Sequence, residues 1–150
     1  MSRKKTIWLI ILLVAAGAAW YGYREYTRSN QDYQDVKPDF SVSAAGLIRE
    51  YEADEVAAGH KYNGRAIEIS GNIRSIDKDE KGFYTIILGD SVSLSSARCS
   101  MDTIHKDDAA GLMPGSPVTL RGACTGFYKD EMGLGSDVIL NFCAVVTKKD

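Results

Sequence analysis

The chain has 150 residues, 45% hydrophobic and 25% charged, with a formal net charge of −2. That composition excludes a disordered chain, and the length disfavours a multidomain enzyme or a coiled coil. The averages hide an uneven distribution: residues 6–23 carry no charged side chain, while residues 31–150 hold 13 Lys and Arg against 19 Asp and Glu, a net charge of −6.

The uncharged stretch, TIWLIILLVAAGAAWYGY, follows Arg3, Lys4 and Lys5 and precedes Arg24, Glu25 and Arg28. Its 18 residues lie near the short end of what spans a bilayer core, about 17–25 residues. Trp8, Trp20, Tyr21 and Tyr23 suit the two interfaces, and the basic end should stay cytoplasmic. The expected organisation is therefore a basic cytoplasmic end (1–5), a transmembrane signal-anchor helix (6–23), a linker (24–40) containing Pro38, and an exported domain (41–150). This places a single-pass protein in a bacterial inner membrane with its C-terminal domain in the periplasm. A cleaved signal is the alternative, because Ala15 to Ala19 offers small residues at a cleavage position. No N-x-S/T sequon is present, and no cysteine follows the apolar run as a lipobox would require.

Within the exported part, Ser41 to Lys61 reads as a helix capped by Ser43, with Leu47, Ile48, Tyr51 and Ala58 on one face. Tyr62-Asn63-Gly64 is a turn. From Arg65 the period switches to two, as Ile67, Ile69, Gly71 and Ile73 alternate with polar residues. A charged turn at Asp77 to Gly82 leads to a second strand, Phe83 to Leu88, and Val92 and Leu94 open a third that runs to Cys99. Met101 to Met113 reads as a short helix stopped by Pro114-Gly115. Val118 to Cys124 forms a fourth strand, and a glycine-rich hairpin loop (Gly133, Gly135) leads into a fifth, Val138 to Val146. Helix, three strands, helix, two strands is the layout of a five-stranded OB-fold barrel, with Gly71 and Gly122 where curling strands must bend. A flat sheet covered by two helices would give similar strand signals.

The run AxxLIxxYEADEVAAGHKYNGRAIEISGNI, with PGSPVTLRGACTGF and DVILNFCAVV further on, resembles the tRNA_anti-like family of bacterial proteins over about Ala44 to Val146. The resemblance rests on Glu55, Ala58, Tyr62, Gly64, Arg65 and Gly71, then Gly122-Ala123-Cys124-Thr125-Gly126, then Leu140 with Cys143. It implies an OB-fold and no established activity.

An exported location makes a disulfide expected among Cys99, Cys124 and Cys143. Cys124 and Cys143 flank the hairpin loop symmetrically, so an antiparallel ladder would place them nearly opposite; Cys99 with either partner is the alternative. None has C-x-x-C spacing, so no metal is expected. His60 and His105 would need carboxylates to converge on them to make a metal site, and the Asp77–Glu80 acids read as a solvated turn. No G-x-S-x-G elbow, P-loop or G-x-G-x-x-G occurs, and no catalysis or cofactor is expected. Tyr84, Arg98, Tyr128 and Lys129 are the candidate binding residues, on strands and a loop where OB-folds bind. A net charge of −6 disfavours nucleic acid, whose binding is driven largely by phosphate neutralisation. An exported module for protein or small-ligand binding, held to the membrane by residues 6–23, is the expectation; nucleic-acid or oligosaccharide binding on the barrel face is the alternative.

Overall fold

The computed structural model describes residues 3–26 and 31–147. Residues 1–2, 27–30 and 148–150, which include parts of the expected basic end, linker and domain C-terminus, lie outside the described residues. The chain forms two compact units, residues 1–31 and 32–150. In the first, α1 (Arg3–Tyr26) is a single helix whose segment Lys4–Glu25 is long and apolar enough to cross a membrane. A signal sequence near an N-terminus meets the same measure.

The second unit contains β1 (Phe40–Ser43), α2 (Ala44–Ala53), α3 (Glu55–Tyr62), β2 (Ala66–Lys78), β3 (Tyr84–Leu88), β4 (Ser96–Met101), a 3₁₀ turn (Lys106–Gly111), β5 (Pro117–Lys129) and β6 (Ser136–Val145). The sheet runs β1-β2-β3-β4-β6-β5, and β5 returns to pair with β2, which closes β2 to β6 into a five-stranded barrel. β4 and β6 pair in parallel; the other barrel pairs are antiparallel. This is the expected OB-fold. Inward positions of the alternating strands (Ile67, Ile69, Ile73, Ile86, Leu88, Leu120, Val138, Leu140) are fully or almost fully buried. Closure leaves those five strands without free ladder edges.

Four local expectations need correction. β1 was not expected: Phe40 to Ser43 adds to β2 as a parallel edge strand. The long helix divides at Asp54, which ends α2 and also caps α3, its carboxylate accepting from Ala57 N at 3.0 Å. The helix expected at Met101–Met113 contracts to the 3₁₀ turn. Val92 and Leu94 belong to a loop, not to a strand, and β4 begins only at Ser96. These two side chains face solvent, so their β-propensity has no packing surface to act on.

Gly71 and Gly122 have separate uses. A Cβ on Gly71 would lie 3.1 Å from Ala44 Cβ, so glycine lets the start of α2 approach β2. A Cβ on Gly122 would lie 2.6 Å from Cys143 Sγ and 2.9 Å from Asn141 O. The β5–β6 ladder shifts register between Arg121 and Ala123, and again between Cys124 and Gly126.

Candidate functional site

The two ends of the barrel are closed differently. At one end α2 packs on β4 and β6, burying Leu47, Ile48 and Tyr51. Tyr51 stacks on Phe127 with ring centroids 5.1 Å apart, and its hydroxyl donates to Asn63 Oδ1 at 2.8 Å while lying 3.3 Å from Cys124 Sγ. Tyr62 of α3 packs edge-on against Phe40 and donates to Glu50 Oε2 at 2.9 Å. Lys61 pairs with the same oxygen at 2.8 Å and holds the Glu50 carboxyl below the usual glutamate range.

At the other end the 3₁₀ turn packs on β6 and β3, and His105 at its start is buried between carboxylates. Nε2 lies 2.8 Å from Asp32 Oδ1, and Nδ1 lies 3.2 Å from Asp108 Oδ2. A neutral imidazole has only one N–H, so two carboxylate partners select the imidazolium. Burial opposes that charge, but Asp32 and then Asp108 outweigh it and raise the His105 pKa. The bond from Gln34 N, followed by His105, lowers that of Asp32. Residues 32–39, within the expected linker, bond to the barrel at further points. Gln34 Nε2 donates to Val145 O, and Arg121 donates to the carbonyls of Gln34 (2.9 Å) and Val36 (2.7 Å) while pairing with Glu68 at 2.6 Å.

All three cysteines are free thiols inside the barrel. The expected Cys124–Cys143 bridge is therefore corrected, and neither Cys99 alternative forms. The reason is register: the hairpin closes on Lys129 and Ser136, which sets Gly122 rather than Cys124 against Cys143, and the ladder irregularities put Leu140 opposite Cys124. Burial pushes the Cys124 and Cys143 thiols up, which keeps them protonated. Among the described residues no group of three His, Cys, Asp or Glu could hold a metal. The two carboxylates at His105 address opposite ring nitrogens, and His60 lies in the last turn of α3. Asp79 caps its own turn by accepting from Lys81 N and Phe83 N.

The four candidate binding residues fall on two surfaces. Arg98 and Tyr128 lie on the outer face of the barrel. Arg98 pairs with Asp77 at 3.7 Å and Asp137 at 3.5 Å, and Tyr128 is the β5 partner of Asp137. Tyr128 is 64% exposed, whereas the outer face from Asp77 to Asp137 carries Ser75 of β2, Thr85 and Ile87 of β3 and Ser100 of β4. Tyr84 has the opposite parity: it packs on the core at the barrel rim, with Lys78 Nζ 5.1 Å from its ring. Lys129 pairs with Ser136, also on the inward parity. The structure thus joins Arg98 to Tyr128 through Asp137 and does not bring Tyr84 or Lys129 to them. Asp77, read in the sequence as part of a solvated turn, belongs to β2, and Asp137 was not singled out, because the importance of both depends on which strands flank β4.

A cleft of about 560 Å³ lies between the start of α2 and β2, lined by Ser43, Ala44, Gly71, Arg74, Asp90 and Gly115 among others. Its one cation is engaged, since the Arg74 guanidinium donates to Ser93 O at 2.9 Å and Ser95 O at 3.3 Å.

Among solved structures, the barrel is similar to a Klebsiella pneumoniae lipoprotein provisionally named nucleic acid-binding, with a TM-score of 0.54 and 16% identity over 71% of this chain and 91% of that one. At that identity the likeness shows the fold. Asparaginyl-tRNA synthetases from Entamoeba histolytica (TM-score 0.41, 12% identity, 59% of this chain and 22% of that one) and Pyrococcus horikoshii (0.38, 18%, 58% and 20%) are weaker likenesses. No curated protein sequence matches the chain significantly. The tRNA_anti-like family profile matches residues 1–138, and the chain belongs to that family.

Proposed function

We propose that the chain is a non-catalytic binding module, held in a bacterial inner membrane by α1 with its N-terminus inside, whose OB-fold barrel engages a protein or small ligand in the periplasm. The observation that carries this reading is the state of Arg98. It lies on the outer barrel face, and Asp77 and Asp137 already flank it. A phosphate approaching that face meets one guanidinium and two carboxylates, a local net charge of about −1, where nucleic-acid binding needs an excess of cations. The structural relative provisionally named nucleic acid-binding makes nucleic acid the competing reading. Exposed Tyr128 beside Asp137 favours an oligosaccharide as a second ligand class on the same face, an aromatic surface with an adjoining hydrogen-bond acceptor.

The test is affinity of the full chain for single-stranded oligonucleotides at low and physiological salt. Weak binding that vanishes at physiological salt is expected; tight binding that survives there and falls steeply with further salt overturns the proposal. A reporter fused to the C-terminus tests the topology, and a cytoplasmic signal would refute the export.

A further inference from the structure

Two loops meet at the α2 end of the barrel. The β3–β4 loop, residues 89–95, and the β5–β6 loop, residues 130–135, touch where Gly135 packs on the Leu94 carbonyl, a contact no larger residue allows. Gly135 has a φ of +114°, which also demands glycine. Ser136 N donates to Ser95 Oγ at 3.1 Å, and Ser95 Oγ donates to Glu52 Oε1 of α2, so the pair of loops is fastened to the barrel and to the helix. Each loop presents two large apolar side chains to solvent: Val92 is 86% and Leu94 62% exposed, Met132 84% and Leu134 65%. Asp130 bonds Met132 N at 2.8 Å and Asp90 bonds Val92 N at 3.3 Å, which fixes both loop tips. Four apolar side chains on adjoining, internally bonded loops form a patch of the sort that marks an interaction site.

Charge indicates the occupant. Asp90, Asp130 and Glu131 lie in the two loops themselves and Glu52 bonds to Ser95, against Arg74 and Lys129. Arg74 is engaged by the loop carbonyls of Ser93 and Ser95. An acidic rim repels an anionic lipid surface and attracts a cationic polypeptide. The patch also lies at the start of β6, while Asp32, at which the domain begins, lies beside its far end, about ten residues and roughly 30 Å away. We infer that the paired loops are a docking surface for a basic, apolar-faced segment of a partner protein. This rests on the reading of the barrel as a protein-binding module and assigns that activity to one surface of it.

The methionines supply the probes: Met132 stands in the patch, Met113 is exposed elsewhere on the domain, and Met101 is buried. The full chain, labelled at methionine methyls and held in zwitterionic nanodiscs, is titrated with a short amphipathic Leu/Lys peptide and its Leu/Glu counterpart, empty discs serving as control. The expected result is a Met132 shift with the Leu/Lys peptide alone, Met113 and Met101 unmoved, and affinity lowered at least tenfold by Leu94→Asp or Val92→Asp. An unmoved Met132, an equal response at Met113, or equal binding of the Leu/Glu peptide overturns the inference. Photo-crosslinkers at Leu94 and Tyr128 in native membranes separate the two levels. Protein captured at Tyr128 but not at Leu94 removes the loop assignment and leaves protein binding standing. Oligonucleotide binding that survives physiological salt removes protein binding as the primary reading.

Discussion

The two ends of this barrel are closed with different shares of apolar and ionic contact. Under α2 the closure is apolar: Leu47, Tyr51 and Tyr62 are fully or almost fully buried, and their contribution is set by burial and shape. Beneath the 3₁₀ turn an ionic cluster joins the apolar packing of Ala109 and Leu112: His105 is held between Asp32 and Asp108, with Asp102, Lys106 and Asp107 around it. Asp102 is buried, and its Oδ2 has no hydrogen-bond partner in the structure. An apolar plug is indifferent to pH and salt over ordinary ranges, while an ionic one responds to both. The end at which the domain begins is thus the more condition-dependent one, because its His105 is buried, whereas the Glu50–Lys61 pair at the docking-loop end lies at the surface.

The sharpest test of that contrast is Tyr51→Ala, expected to cost about 3–5 kcal/mol in denaturant unfolding, the range for removing a large buried aromatic. If it cost no more than a substitution at His105, the contrast would fail. Next in size is Gly122→Ala, whose new methyl meets Cys143 Sγ and Asn141 O and should cost about 1–3 kcal/mol as overpacking. Adding Cys143→Ala should return part of that loss, measurable as a double-mutant coupling. At the ionic end the expected effect is smaller, no more than about 1 kcal/mol because Asp32 is partly exposed. Its sign is fixed by the shifts. The His105 pKa is raised in the folded state, so its contribution is complete below the ordinary value of 6.5 and is lost as pH rises through the folded value. The Asp32 pKa is lowered, so its contribution is present above 3.8 and is lost as pH falls through the folded value. Thermal unfolding against pH should show both edges, and His105→Gln should flatten them. Smallest is Arg98→Gln, expected within about 0.5 kcal/mol for a surface position. Its partner experiment, Asp77→Asn with Asp137→Asn, frees the guanidinium and should raise oligonucleotide affinity at low salt.

The apolar end was largely legible in the sequence, since Leu47, Ile48 and Tyr51 recur at helical spacing and the β2 and β5 alternations pair inward residues. What escaped were features set by tertiary pairing. Symmetric spacing about the glycine loop sets Cys124 opposite Cys143, but the hairpin closes on Lys129 and Ser136, a register that puts Gly122 there instead, and a glycine-rich loop does not show at which residues its ladder begins. Asp54 lies within a continuous helical stripe, and its double use as the end of one helix and the cap of the next depends on where Tyr62 must pack. The Asp32–His105 contact joins residues 73 apart, in a polar stretch with no periodicity to read. Arg98 was legible as a candidate, but its neutralisation came from Asp77 and Asp137, which reach it only once β2, β4 and β6 have taken their places.

The segment from Asp32 to Ser43 also has a mechanical consequence. A pull applied at its N-terminal side meets the His105 contact first, then the grip of Arg121 on the carbonyls of Gln34 and Val36. The Asp39–Ala66 bonds come next, and last the parallel β1–β2 ladder. These attachments lie in series and outside the closed ring of β2 to β6, so a load on the segment passes through them before it reaches the barrel. The segment is thus fastened to the barrel without being part of the ring, and its release would leave the ladders that close β2 to β6 paired.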